Sequence, residues 1–132
     1  FVNSLKIATA PFAQVNTSME LSAAFAKIGF PAILKTARMG YDGKGQVKLE
    51  KGDDLAGAWR SIGEKPAVLE GFVKFEREIS VVIARGADGK TAAFDPIENE
   101  HRDHILHTST VPAKITPALA KEAVAIATKI AK

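Results

Sequence analysis

Apolar positions along this chain change period repeatedly, and each change marks an element. Thr17-Ser18-Met19-Glu20 has the form of a capping box; Leu21, Ala24, Phe25 and Ile28 then fall on one helical face, and Gly29 supplies a stop. The spacing predicts a helix of about three turns. Residues 31–35 are an apolar run closed by a charge, the pattern of a buried strand that delivers Lys35 at its end. After a loop with Gly40, Gly43 and Gly45, residues 46–50 alternate, with Val47 and Leu49 on one face of a second strand. Asp53 is expected to cap a short helix through Leu55, Trp59 and Ile62 to Gly63, and residues 67–70 read as another buried strand. Residues 78–85 place Ile79, Val81 and Ile83 on one face of a single expected strand. Asp88-Gly89 then turns the chain, and residues 91–94 return. Glu98 to His104 reads as a polar loop. A last helix starts at Pro117 and runs through Leu119, Ala123, Ile126 and Ile130. Residues 1–5 read as the tail of an earlier element, and residues 8–12 as an extended segment that Pro11 keeps out of a helix. Helices and hairpins in this order predict an α+β fold, a largely antiparallel sheet covered by helices.

Composition narrows the function classes. The 132 residues are 46% hydrophobic and 25% charged, enough for one self-sufficient core. Without cysteine there is no disulfide framework, zinc finger or thiol nucleophile. No apolar run reaches the roughly 20 residues of a membrane span, so no membrane partner and a cytoplasmic location are expected. The formal charge of +3 is spread thinly: residues 1–60 carry a net +3, residues 61–110 a net −3 and residues 111–132 a net +3. With no Lys/Arg cluster and 7% aromatic residues, nucleic-acid binding is not expected. Phe1 rather than Met opens the chain, which suggests a piece of something longer.

The sharpest local feature is Lys35 followed by Gly40-Tyr41-Asp42-Gly43-Lys44-Gly45-Gln46. Three glycines let the backbone turn N–H groups toward an anion, and Lys35 and Lys44 add positive charge within reach of a phosphate. A tight hairpin with solvated lysines explains the same residues. The loop is neither a Walker A loop nor a dinucleotide fingerprint, because no Ser or Thr follows Gly-Lys and the Gly-x-Gly-x-x-Gly order is missing. Glu70 and Glu78 stand at strand ends, where a carboxylate accepts from a ribose or an amine, or simply borders a solvated edge. His101, His104 and His107 recur every third residue beside acids, but the spacing fits no zinc motif, and one histidine contacting a phosphate is the better reading.

Several strings together resemble a known family. Thr9-Ala10-Pro11-Phe12, Ile33-Leu34-Lys35-Thr36, the glycine loop, Leu69-Glu70-Gly71-Phe72-Val73, Glu78-Ile79-Ser80-Val81 and Pro96-Ile97-Glu98-Asn99-Glu100-His101 resemble, in order and spacing, the ATP-grasp region of the carboxyaminoimidazole ribonucleotide synthases. These are the ATPase subunits of phosphoribosylaminoimidazole carboxylase. The resemblance implies an ATP-dependent ligase: ATP and bicarbonate give carboxyphosphate, and the carboxyl passes to 5-aminoimidazole ribonucleotide in purine biosynthesis. It implies that Lys35 neutralises phosphates and that Gly40, Tyr41, Asp42, Gly43, Lys44, Gly45 and Gln46 close over them. Glu70, Gly71, Phe72 and Val73 would form the hinge read by adenine, largely through backbone groups, Glu78 would take the ribose hydroxyls, and His101 would face the phosphates. Tyr41, Asp42 and Lys44 would also reach the ribonucleotide.

The resemblance also divides the chain: residues 1–15 as a lead-in from a first domain, 16–75 as a small glycine-loop subdomain, 76–132 as the start of a larger one. It places the paired acidic Mg2+ ligands, and an Arg-x-His segment for the substrates, after Lys132. No metal ligand and no secure catalytic residue are therefore expected among these residues, and the isolated chain is expected to be inactive. His107 stands where the family commonly has Arg. A homodimer is implied for the longer enzyme. Another carboxylating ATP-grasp ligase, or a nucleotide-binding module without catalysis, are the competing readings.

Overall fold

Residues 10–15 leave Pro11 extended and become a strand because Ala13 and Val15 can be buried while Phe12 and Gln14 face away, a period of two over four residues. The computed structural model describes residues 1–38, 45–103 and 105–132. They fall into two compact units, one of Ala10–Lys74 and one of Phe1–Thr9 with Phe75–Lys132.

In the first unit, β1 (Phe12–Val15), β2 (Ala32–Thr36), β3 (Gln46–Leu49) and β4 (Ala67–Gly71) form an antiparallel sheet in the order β1-β4-β2-β3. α1 (Ser18–Ile28) and α2 (Leu55–Ser61) cover one face. The predicted capping box is present with a shifted return limb. Thr17 Oγ1 accepts from Glu20 N at 3.2 Å, and Glu20 Oε2 accepts from Asn16 N at 2.8 Å. Gly29 ends α1 at φ +85°, a conformation that favours glycine. Val15, Ala32, Leu34, Ala67 and Leu69 point at Leu21, Phe25 and Trp59 and are sealed from solvent. Each buried leucine here contributes on the order of 2 kcal/mol.

α2 corrects one expectation. Asp54, not Asp53, occupies its N-terminal position, and without a side-chain cap bond; Asp53 Oδ2 instead accepts from Glu50 N at 2.9 Å and closes the turn before the helix. Two adjacent aspartates can share such a corner, and the turn takes the first.

The second unit holds β5 (Glu78–Ser80), β6 (Ile83–Arg85), β7 (Thr91–Ala93), β8 (Ile97–Arg102), β9 (Ile105–Thr110) and α3 (Pro117–Ala131), with a 3-10 helix at Val2–Leu5 where the sequence suggested only a tail. β5-β8-β9 form one antiparallel sheet and β6-β7 another. The single strand expected over residues 78–85 is thus two strands in different sheets, parted at Val81-Val82. The polar loop expected at Glu98 to His104 is largely β8, whose faces both accommodate polar side chains. The Asp88-Gly89 turn is as expected, with Gly86 N donating to Lys90 O at 2.9 Å and Gly89 at φ +80°. α3 opens at Pro117 behind Thr116, whose Oγ1 accepts from Leu119 N at 3.3 Å. No helix among the described residues is long and apolar enough to cross a membrane.

Candidate functional site

The candidate residues form two groups, one on each unit. In the first unit, the register sorts side chains between the faces of the sheet. Phe12, Gln14, Ile33, Lys35, Gln46, Lys48, Val68 and Glu70 share the face turned away from α1 and α2. Lys35 lies between Val68 on β4 and Gln46 on β3, and its Nζ meets Glu70 Oε2 at 2.6 Å. Both side chains keep about a third of their surface accessible, 39% and 35%, so the pair is held yet open to a ligand. As a partly exposed pair it contributes at most about 1 kcal/mol to stability. Its consequence is geometric: the ammonium is fixed in place on the sheet.

The glycine loop is anchored at its base. Thr36 N donates to Gly45 O at 2.8 Å, and Gly45 stands at φ +76°, where an added Cβ would lie 2.8 Å from Thr36 Oγ1. Glycine is required there for both conformation and space. Gly40, Tyr41, Asp42, Gly43 and Lys44 lie outside the described residues, as does His104.

The segment after β4 modifies the hinge expectation. Gly71 N donates to Pro11 O at 2.8 Å and Phe72 N to Pro31 O at 3.0 Å, so these two N–H groups serve the fold. Recognition through the backbone at these two residues must therefore use their carbonyls. Val73 is half exposed, and the Phe72 ring lies under Lys48 Nζ at 4.8 Å. Lys48 also pairs with Glu50 at 2.7 Å. Sequence reasoning missed Lys48. Its signal was the alternation of residues 46–50, which puts Lys48 on the face of Lys35 once β3 is paired.

In the second unit, Glu78 on β5 and His101 on β8 share a face, and His101 Nδ1 is 3.6 Å from Glu78 Oε1. The β8-β9 ladder is regular to Glu100 opposite Thr108. It then shifts so that His101 faces Leu106, leaving His107 as the extra residue of a bulge. His107 Nδ1 lies 2.8 Å from Thr108 Oγ1. The opposite face holds a cavity of about 280 Å³, where Glu98 Oε2 accepts from Lys114 N at 3.1 Å and Arg77 Nη1 at 3.4 Å; neither Glu78 nor His101 lines it. Among the described residues no three His, Asp or Glu side chains gather to hold a metal ion.

The family model of the ATP-grasp domain matches residues 1–132. The chain is 48% identical over 132 residues to an N5-carboxyaminoimidazole ribonucleotide synthase of Brucella melitensis, covering 98% of this chain and 36% of that protein. It is 44% identical over 136 residues to the bifunctional purine synthesis protein purC/E of Dictyostelium discoideum, covering 100% of this chain and 14% of that one. A crystal structure of an ADP complex of PurK, an N5-carboxyaminoimidazole ribonucleotide synthetase, superposes with a TM-score of 0.91 at 38% identity, over 98% of this chain and 34% of that one. The chain thus spans about a third or less of the length of these relatives.

Proposed function

The chain belongs to the ATP-grasp domain family, and from that premise we propose that it supplies part of the ATP site of an enzyme carboxylating 5-aminoimidazole ribonucleotide with bicarbonate in purine biosynthesis. The observation that carries the proposal is the Lys35–Glu70 pair, a fixed cation on the open sheet face beside the anchored base of the glycine loop. In the reaction, a bicarbonate oxygen attacks the γ-phosphorus of ATP, ADP leaves, and carboxyphosphate forms. The exocyclic amine then attacks its carbonyl carbon, the C–O bond to phosphate breaks, and the amine gives up a proton to leave the carboxyamino product and phosphate.

Each residue has a part in that sequence. Lys35 offsets the charge of the nucleotide phosphates, and Glu70 holds it in place. The loop based on Thr36 and Gly45 closes over the phosphates and keeps water from the labile intermediate. Tyr41, Asp42 and Lys44 reach the ribonucleotide. Backbone groups of Glu70 to Val73, at Gly71 and Phe72 the carbonyls, read the adenine, Glu78 takes the ribose hydroxyls, and His101 faces the phosphates. Mg2+, when bound, would offset the negative charge developing on the transferred phosphoryl, and the resemblance puts the carboxylates that would hold it outside these residues. On this reading the unit of Ala10–Lys74 would be the glycine-loop subdomain and that of Phe1–Thr9 with Phe75–Lys132 the beginning of the larger one, so residues 1–15, expected as a lead-in, divide between the two. The enzyme works in the cytoplasm as a homodimer.

The test has two stages. Titrating the chain with ADP or ATP plus magnesium, followed by thermal shift, should raise its melting temperature, and Lys35→Ala should abolish the shift. A protein carrying this chain within flanks of the length found in its relatives should then hydrolyse ATP only with both bicarbonate and 5-aminoimidazole ribonucleotide. A shift with no such hydrolysis would leave a nucleotide-binding module and overturn the carboxylase reading.

A further inference from the structure

The sheet β5-β8-β9 places five polar side chains in a grid on one face. Glu78, Asn99 and Ser109 lie side by side across the three strands, with Ser80 and His101 at the diagonals. Asn99 Nδ2 donates to Ser80 Oγ at 2.9 Å, and Asn99 Oδ1 accepts from Ser109 Oγ at 3.0 Å. The amide is therefore engaged with both neighbouring strands. We propose that Asn99 is a positioning residue, tying β5 and β9 to β8 in the register that projects Glu78 toward the nucleotide sugar, with His101 beside it on the same face. This inference rests on the nucleotide reading of Glu78 given above.

Two features make such a tie necessary. β5 has only three residues, Glu78 to Ser80, and at Val81-Val82 the chain departs for another sheet. A three-residue edge strand frays readily, and the bond to Ser80 secures the end opposite Glu78. On the other side, the bulge between Glu100 and His101 begins one residue after the Asn99–Ser109 pair. The extra residue, His107, is on β9, and a bulge bends the strand that carries it and increases the local twist, so the place where β9 absorbs it affects how β8 runs past His101. The Asn99–Ser109 bond holds the regular ladder up to that position. Glu78 and His101, 3.6 Å apart, depend on both ties at once.

The experiment compares the affinities of the chain for ADP, 2′-deoxy-ADP and AMP in the wild type, Asn99→Ala, Asn99→Asp and Ser80→Ala. The wild type should favour ADP over 2′-deoxy-ADP, and Asn99→Ala should reduce that preference at least about threefold. The ADP-to-AMP ratio, which reads the phosphate contacts of Lys35 and His101, should change less than the sugar preference, whereas general loosening would weaken all three nucleotides alike. Asn99→Asp keeps an acceptor for Ser109 Oγ but removes the N–H donated to Ser80 Oγ, so its sugar preference should fall partway. If Asn99→Ala does not fold, Ser80→Ala and Ser109→Ala, which each remove one bond from an exposed hydroxyl, decide by the same ratio. An unchanged preference in these variants overturns the positioning role and leaves the nucleotide reading standing. A wild type that binds ADP and 2′-deoxy-ADP equally overturns the sugar role of Glu78, and with it the proposal; a wild type that binds neither overturns the nucleotide site.

Discussion

Lys35 holds its ammonium 2.6 Å from Glu70 Oε2, and on the proposed reading an incoming phosphate would find it already in place. Lys35→Ala should raise the dissociation constant for ADP at least about tenfold, or about 1.4 kcal/mol, while shifting the apo melting temperature little, because a partly exposed ion pair adds at most about 1 kcal/mol. Glu70→Gln keeps an acceptor for Nζ and should weaken ADP much less than Lys35→Ala; calorimetry on both variants checks the order. A second residue-scale prediction concerns Asp88. Its carboxyl is held below the usual value first by the hydrogen bond from Lys90 N and then by the Lys90 side chain. A depressed native pKa means that the stabilisation is present above the unfolded carboxylate value and is lost as pH falls through the lowered one. In an NMR titration Lys90→Ala should recover only the smaller part of the depression, since the backbone donor remains. Lys35, Glu70, Glu78 and His101 were legible as candidates because they punctuate apolar or polar runs. Lys48 and the Ser80–Asn99–Ser109 row were not, because their adjacency comes from pairing between strands distant in sequence.

Glycines at element ends separate strain from function. Gly29 closes α1 at φ +85° with nothing within 4 Å of the place a Cβ would take, whereas Gly45 stands at φ +76° with Thr36 Oγ1 only 2.8 Å from that place. Gly29→Ala should cost about 1 kcal/mol through backbone strain alone and leave ADP affinity unchanged. Gly45→Ala should lose comparable stability and also weaken ADP, because the clash displaces the bond that anchors the loop. Melting curves and titrations on the pair separate the two effects. At this scale α1 and α3 were legible to within a residue, because capping and 3.6-residue periodicity are local signals. The break at Val81-Val82 was not, since alternation continues across it and only partner choice divides the strand. β8 and β9 were hidden for the opposite reason: with polar residues on both faces they lack the apolar alternation that marks a half-buried strand.

Across the whole chain, burial is unequal. Among the described residues, every apolar side chain that is buried, other than those of Pro96 and Ala113, lies in the unit of Ala10–Lys74. α3 buries none of its residues, and β9 is exposed along its length. The α+β character was legible from the order of elements, but this imbalance was not, because Leu119, Ile126 and Ile130 follow helical spacing whether or not a partner covers them. Local stability follows buried apolar contact, so the units should open with different free energies. Trp59 is the chain's only tryptophan and sits in the core of the first unit at 6% exposure. Its fluorescence should therefore report that unit alone, with a midpoint in denaturant above the loss of protection in β5, β8 and β9 measured by hydrogen exchange. Leu69→Ala, which empties a sealed core position, should lower the stability reported by Trp59 by about 2–5 kcal/mol and leave exchange in β8 and β9 unchanged. Coincident transitions in the wild type, with both probes moved equally by Leu69→Ala, would instead show one cooperative unit.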